Sequence, residues 1–268
     1  MRFISLGSGS SGNCYYIQSG DKAIIIDIGI SIRRLKILSR QYGVNMGNVL
    51  GIFVTHDHTD HVKAVGALSQ ETALPVYTTE SVHHGMEINR YMKKKVPREH
   101  TRTIETHTEN HIGPFCITAF PVPHDSSGNN GYFIESDGTN LCLVTDAGHI
   151  TPEMEPYIAK AQHLIIEANY DLAMLATGPY PAPLRRRIAS DRGHMSNEDT
   201  GNAIARLALK EAKHIWLCHL SEENNNPNLA LRTIKEILAA HEESESSHEP
   251  IAIEALPRRS PSGFYELT

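Results

Sequence analysis

Several common features are missing from this chain. No apolar run in its 268 residues approaches the ~20 residues that a membrane-spanning helix requires. The early sequence has Arg2 and then polar serines and glycines, not the apolar core of a secretory signal. Paired cysteine spacing is also missing. Cys14, Cys116, Cys142 and Cys218 are scattered through apolar segments and read as buried, reduced thiols of a cytoplasmic protein. There is no excess of positive charge: the formal net charge is −6, so overall charge gives no case for nucleic acid, and a local basic patch would have to supply one. The glycine- and serine-rich stretch Gly7 to Asn13 could offer backbone N–H groups to a phosphate. It lacks the Gly-Lys-Ser/Thr ending of a Walker loop, and a plain hairpin loop reads equally well. Neither repeat nor linker interrupts the chain, so residues 1–268 are expected to form one domain with ample core at an ordinary 40% hydrophobic content.

Ligand-type side chains are what the sequence has in concentration. Histidine occurs 16 times, and His56-Asp57-His58-Thr59-Asp60-His61 holds three of them with two aspartates. The run Gly51 to Thr55 before it is apolar and β-branched, as in a buried strand, and Val62 to Leu68 after it has helical spacing. The hexapeptide is therefore expected in a loop between strand and helix. Imidazole and carboxylate suit borderline divalent cations, and five such groups exceed the needs of one four-coordinate ion with an open position. Two adjacent metals fit better.

Further along, His124 follows the expected strand Phe115 to Val122, and Asp146 follows Asn140 to Thr145, which is joined to Gly131 to Ser136 by an Asp137-Gly138 turn. His219 ends the strand His214 to Cys218, whose alternation turns Cys218 to the opposite face. A lone histidine after a strand means little. An ordered series of ligand types at strand ends is what enzyme sites at a sheet edge use. Other expected strands are Arg2 to Leu6, Cys14 to Gln18, Ala23 to Asp27, 75–78 and His163 to Ala168, with closing strands near 250–255 and 263–267. Helices are expected over 31–42, 79–95, Pro183 to Ala189, Ala203 to Leu209 and 227–240, and a capping box at Ser196 to Asp199. The acidic stretch Glu242 to Glu249 reads as a solvated loop.

The hexapeptide fits the His-x-His-x-Asp-His signature, and the chain thereby resembles the metallo-β-lactamase superfamily. That resemblance implies an α/β fold, the αββα sandwich, with two divalent ions per chain, zinc or manganese with iron also admitted. It assigns His56, His58 and His124 to one metal and Asp60, His61 and His219 to the other. Asp146 would bridge them opposite a shared hydroxide, and Asp27 would support the metal loop without ligating. Glu167 and His194 match the Glu–His pair of ribonuclease Z-type phosphodiesterases. There the histidine stabilises the transition state and protonates the leaving group, so the catalytic set is Asp60, His194 and Glu167.

The spans Ser5 to Cys14, Gly193 to Asn197 and His219 to Asn225 closely resemble the bacterial YycJ (WalJ) family, almost end to end. Only 22 positions separate His124 from Asp146, too few for a tRNA-gripping arm, and 73 separate Asp146 from His219, too few for a β-CASP insertion. The resemblance implies a 5′-to-3′ DNA exonuclease, with nucleic acid as partner and no membrane association. Lys93, Lys94, Lys95, Arg185, Arg186 and Arg187 become candidate phosphate contacts. A small-molecule cyclic phosphodiesterase, a ribonuclease and a thioester or lactone hydrolase remain alternatives on the same fold.

Overall fold

A computed structural model describes residues 1–242 and 251–268. Apart from residue 242, where the helix Pro227–Glu242 ends, the acidic loop expected over 242–249 lies outside the described residues. The strands, in chain order, are β1 Arg2–Gly7, β2 Cys14–Ser19, β3 Lys22–Ile26, β4 Val49–Phe53, β5 Val76–Thr78, β6 Thr101–Thr103 and β7 Glu109–Ile112. They continue with β8 Phe115–Pro121, β9 Asn130–Ser136, β10 Thr139–Val144, β11 His163–Glu167, β12 His214–Cys218, β13 Ala252–Ala255 and β14 Tyr265–Glu266. The described residues divide into two compact α/β units.

The first unit spans Met1–Phe120, Ser126–Thr139 and Pro257–Thr268. Its mixed sheet runs β14-β1-β2-β3-β4-β5-β6. β1, β2 and β3 are antiparallel neighbours, whereas β3 to β6 are parallel, with Ile25 opposite Ile52 and Phe53 opposite Tyr77. Continuous β-branched runs such as Ala23-Ile24-Ile25-Ile26 suit strands buried on both faces, and all four residues are fully buried. Ile4, Leu6, Tyr16, Ile25, Ile52 and Val65 belong to one apolar core, where truncating an isoleucine to alanine costs about 2–5 kcal/mol. The helix Ile32–Tyr42 covers part of this core. Ser31 caps its start by accepting from the Arg34 N–H, and Gly43 ends it at φ 68°.

The second unit spans Pro121–Asp125 and Asn140–Leu256. β10, β11, β12 and β13 are parallel, with Leu164 opposite Ile215 and Ile215 opposite Ile253. The helices Asn197–Leu207 and Pro227–Glu242 pack where Gly201 leaves room for Ile237. The capping box is present: Ser196 Oγ accepts from the Asp199 N–H while the Asp199 carboxylate accepts from the Ser196 N–H.

Two expectations are corrected. The hexapeptide is not all loop, because Asp60 and His61 lie on a one-turn helix, Thr59–Val62, and a second helix, Val65–Thr72, follows after a break. The helix expected over 79–95 is Glu80–Ile88. Asn89 ends it by turning its side chain to the Asp57 carbonyl and accepting from the Tyr91 N–H. Lys93 to Lys95 therefore lie outside that helix, with the Lys94 backbone packed against Gly66. The short polar strands β6 and β7 and the helices Glu155–Ala159 and Leu172–Thr177 carry no strong sequence pattern. Four strands end in a non-glycine residue with left-handed backbone: Asp27 after β3 (φ 58°), Asp137 after β9 (φ 52°), Asp146 two residues past β10 (φ 54°) and His219 after β12 (φ 52°).

Candidate metal centre

In the first unit the end of β4 delivers Thr55 and His56, and the one-turn helix delivers Asp60 and His61. His56 and His61 are fully buried with ring centroids 4.0 Å apart, and His58 lies 4.7 Å from His56 on the same measure. The strand expected to run to Asp27 stops at Ile26, and the left-handed turn sets the Asp27 carboxylate beneath this loop. Oδ1 accepts from the Thr55 N–H (2.8 Å), and Oδ2 accepts from Thr55 Oγ1 (2.7 Å) and His61 Nδ1 (2.7 Å). A second amide reports on the opposite face of that imidazole. Asn13 Oδ1 accepts from the Gly9 N–H (2.8 Å), which fixes the amide orientation, so Asn13 Nδ2 donates to His61 Nε2 (2.9 Å). Nδ1 is thus the protonated nitrogen of His61 and Nε2 carries the lone pair. Asp57 behaves differently from the other hexapeptide residues: its carboxylate accepts from the Ser127 N–H (3.1 Å) and hydroxyl (2.9 Å), a structural tie.

In the second unit Asp146, Glu167, His194 and His219 bring one ligand atom each within 4.8 Å of one another. His124 Nδ1 donates to the Gly193 carbonyl (2.9 Å), which turns Nε2 toward Asp146 Oδ1 at 3.8 Å. The same carboxylate oxygen lies 3.5 Å from His219 Nε2. Glu167 is fully buried at the end of β11. Its Oε2 accepts from the Ala147 and Met195 N–H groups (3.0 and 3.1 Å), and Oε1 lies 2.8 Å from His194 Nδ1 and 3.2 Å from His219 Nδ1. Burial alone would raise the Glu167 carboxyl, but the charge and hydrogen bond of His194 and a hydrogen bond from His219 hold it below the usual carboxylate range. Burial would lower His194, but Glu167 more than offsets that and holds the imidazole above its ordinary value. The sequence reading pairs Glu167 with His194 alone; the contact to His219 is new.

These two clusters can be set beside known proteins. Residues 22–220 match the family model for the beta-lactamase superfamily domain. Exodeoxyribonuclease YycJ of Bacillus anthracis is 34% identical over 238 residues, covering 89% of this chain and 89% of that protein. Exodeoxyribonuclease WalJ of Streptococcus pneumoniae is 33% identical over 238 residues, covering 89% of this chain and 88% of its own. The chain belongs to the β-lactamase superfamily. Its fold is the expected αββα sandwich of the metallo-β-lactamase type. The metallo-β-lactamase fold protein YhfI from Bacillus subtilis aligns at a TM-score of 0.68 and 17% identity, over 99% of this chain and 100% of that one.

Superfamily membership implies divalent metal, and the donor set fits. Each of His61, His124 and His219 has its Nδ1 engaged by a carboxylate or carbonyl oxygen, so Nε2 is the nitrogen that could take a cation. The Asn13 amide already donates to the His61 lone pair that a cation would take. The six basic residues have varied surroundings. Lys95 Nζ donates to the Met86 and Asn89 carbonyls (2.8 and 2.5 Å), Arg185 donates to the Ala176 carbonyl and Arg187 forms a two-pronged pair with Asp125. Lys93, Lys94 and Arg186 are exposed. Cys14, Cys142 and Cys218 are buried free thiols, burial pushing the first two well up, whereas Cys116 is only half-buried. Cys218 Sγ donates to the Val144 carbonyl. No helix among the described residues is long and apolar enough to cross a membrane.

Proposed function

We propose that the protein is a metal-dependent 5′-to-3′ DNA exonuclease. The observation that carries this reading is the 2.8 Å Glu167–His194 pair next to Asp146 and His219. Cleaving a phosphodiester expels an alkoxide that needs a proton, and an imidazole whose charged form is favoured by a buried carboxylate can supply one. Identity of 34% to an exodeoxyribonuclease over 89% of both chains supports DNA as substrate.

The proposed ligands are His56, His58 and His124 for one ion and Asp60, His61 and His219 for the other, with Asp146 shared. Zinc and manganese suit these nitrogen and oxygen donors. Bound there, two divalent ions lower the pKa of water and neutralise charge on phosphate oxygens. The chain does the rest. Asp27 holds His61 in the ligating tautomer, and Asp60 joins it from the same helical turn. Glu167 favours the charged form of His194 and aims it through Nδ1, which leaves Nε2 for the departing oxygen. Both compact units are assembled from non-consecutive segments, which supports one cooperative domain over 1–268. The buried free thiols support a cytoplasmic setting.

Metal-reconstituted protein should hold two ions per chain by elemental analysis and release nucleotides from 5′-labelled DNA before internal label appears. His194→Ala should keep both ions while turnover falls about 10²–10⁴-fold, and less for a nitrophenyl diester whose leaving group needs no proton. His219→Ala should lose metal. Metal loss in His194→Ala but not in His219→Ala would require the two roles to be exchanged, and degradation of RNA but not DNA would overturn the substrate assignment.

A further inference from the structure

Among the concavities of the first unit that the candidate metal residues do not line, one is cationic. It has a volume of about 340 Å³, within the roughly 300–1,000 Å³ range of small-molecule sites. Arg34, Lys63, Arg258 and Arg259 line it together with Gly7, Ser11 and Gly12, and no carboxylate lines it among the described residues. These cations come from separate parts of the chain, so no long basic run in the sequence announces them. Resting on the nuclease reading above, we propose that this cavity is a phosphate subsite that takes a phosphate of the substrate strand, one or two nucleotides from the scissile bond.

Three observations carry the assignment. The first is charge. Four like charges around one cavity repel one another and favour an anion between them. Arg34 brings a guanidinium, the group best suited to phosphate oxygens, and its buried Nε has no hydrogen-bond partner among the described residues. The helix Ile32–Tyr42 also starts at Ser31 on the cavity wall, adding the partial positive charge of its first turn.

The second is rigidity. The Arg258 carbonyl accepts from the Ser8 N–H (3.2 Å), Ser262 N–H donates to the Ser5 carbonyl (3.0 Å), and Arg34 donates to the Arg259 carbonyl. The segment bearing Arg258 and Arg259 is thereby tied to β1 and its following loop before any ligand arrives. The glycine-serine loop has fewer N–H groups to offer an anion than its composition suggests. The N–H groups of Ser8, Gly9, Gly12 and Asn13 are all spent on Arg258, Asn13, Gly9 and Asp60. The loop acts as a floor, and side chains supply the charge.

The third is position. Lys63 stands three residues after Asp60, at the end of the one-turn helix that carries Asp60 and His61. Three residues of helix rise about 4.5 Å. Gly12 packs against Gly29, and its neighbour Asn13 bonds both the Asp60 carbonyl and His61 Nε2. The cavity therefore adjoins the segment that carries Asp60 and His61. Phosphates of one strand recur every ~3.4 Å along a duplex axis, so one strand can reach both places.

The test uses metal-loaded protein and the double variant Lys63→Gln/Arg259→Gln, both exposed side chains. Binding of a 3′-fluorescein single strand is followed by anisotropy at several salt concentrations, with His194→Ala in both proteins to slow turnover. The double variant should bind roughly tenfold more weakly or worse, and the slope of log affinity on log salt should fall by about 0.7 for each phosphate no longer neutralised. In the His194-containing proteins, hydrolysis of bis-nitrophenyl phosphate should be unchanged. Comparing 5′-phosphorylated with 5′-hydroxyl strands separates the two sources of the anion. A loss confined to the phosphorylated strand assigns the terminal phosphate, an equal loss assigns a backbone diester, and either supports the subsite. Unchanged strand binding overturns it, as does an equal loss on the small diester, which would indicate a structural role. Arg34→Lys provides a second variant that keeps the charge but removes the fork, and it should weaken the strand by less than the double variant. A wild-type protein that hydrolyses the small diester but neither binds nor cuts DNA overturns the nuclease reading and the subsite with it. Normal strand binding by the variants overturns the subsite alone.

Discussion

Asp27→Asn isolates the support of the metal loop from its ligands. The substitution preserves volume, and asparagine tolerates the φ of 58° at this position. The carboxylate accepts three hydrogen bonds at 2.7–2.8 Å, and an amide has only one accepting end. If the amide oxygen keeps the Thr55 N–H, its NH₂ faces Thr55 Oγ1 and His61 Nδ1. The hydroxyl can rotate and accept. The imidazole can accept only by moving its proton to Nε2, where the Asn13 amide already donates at 2.9 Å. The loss of one charge-assisted bond, about 1.5–3 kcal/mol, is partly offset because a neutral amide is less costly to bury. Two opposed donors at Nε2 add about 1–3 kcal/mol. A net destabilisation of about 2–4 kcal/mol is expected, within what a 268-residue protein tolerates. The effect on metal should be more specific, because a protonated Nε2 cannot ligate. Losing such an orienting partner costs about 10–100-fold in metal affinity. Chelator competition on folded protein, paired with urea unfolding of the metal-free form, reads the two effects separately. Asp57→Asn is the control: Asp57 is in the same loop but bonds Ser127, so it should leave metal affinity alone. Equal metal affinity in wild type and Asp27→Asn would refute the tautomer argument.

Three further outcomes follow from the same geometry. Glu167→Gln should lower turnover and also weaken metal binding, since Glu167 Oε1 faces the Nδ1 atoms of both His194 and His219. A turnover defect with intact metal affinity in chelator titration would show that the His219 contact is idle. Gly29→Ala would place a methyl on the Asp60 carbonyl and 2.7 Å from the Asn13 nitrogen, neither able to move without the metal loop. A loss of about 3 kcal/mol or more in urea unfolding is expected, and a loss under about 1 kcal/mol would contradict the close packing. His83 is lowered by burial, despite donating from Nε2 to the Arg102 carbonyl (3.1 Å), so the folded state disfavours its charged form. Its contribution is present above the unfolded histidine pKa of about 6.5 and is lost as pH falls through the lower folded value. Between about pH 7.5 and 5.5, His83→Gln should therefore lose less stability than wild type, and parallel urea midpoints would reject the linkage.

The sequence made the site legible wherever its chemistry is local. His56 to His61 is contiguous, and His124, Asp146 and His219 each follow an apolar run ending near a strand boundary, so residue type and position agree. The capping box at Ser196 is readable because both partners lie within one turn. What depends on distant partners is not readable. The helix stops at Ile88 because Asn89 reaches back to the Asp57 carbonyl, a contact absent from local propensity. The extra duty of Glu167 toward His219 spans 52 positions and appears only when β11 and β12 pair in parallel. The cationic cavity is hidden for the same reason. Its arginines and lysine come from residues 34, 63, 258 and 259, whereas runs such as Lys93 to Lys95 draw attention by adjacency alone.

The left-handed residues at these four strand ends bear on how this protein would respond to engineering. A side chain at such a φ costs about 1–2 kcal/mol relative to a relaxed backbone, somewhat less for aspartate, and glycine has no such cost. A screen for thermal tolerance in metal-free buffer would thus find candidate gains at Asp146 and His219, both nearly fully buried and both proposed ligands. Variants that advanced in such a screen would carry a more relaxed chain and an emptied site. Selection in the presence of metal should reverse the ranking, because ligand binding then contributes to the stability being selected.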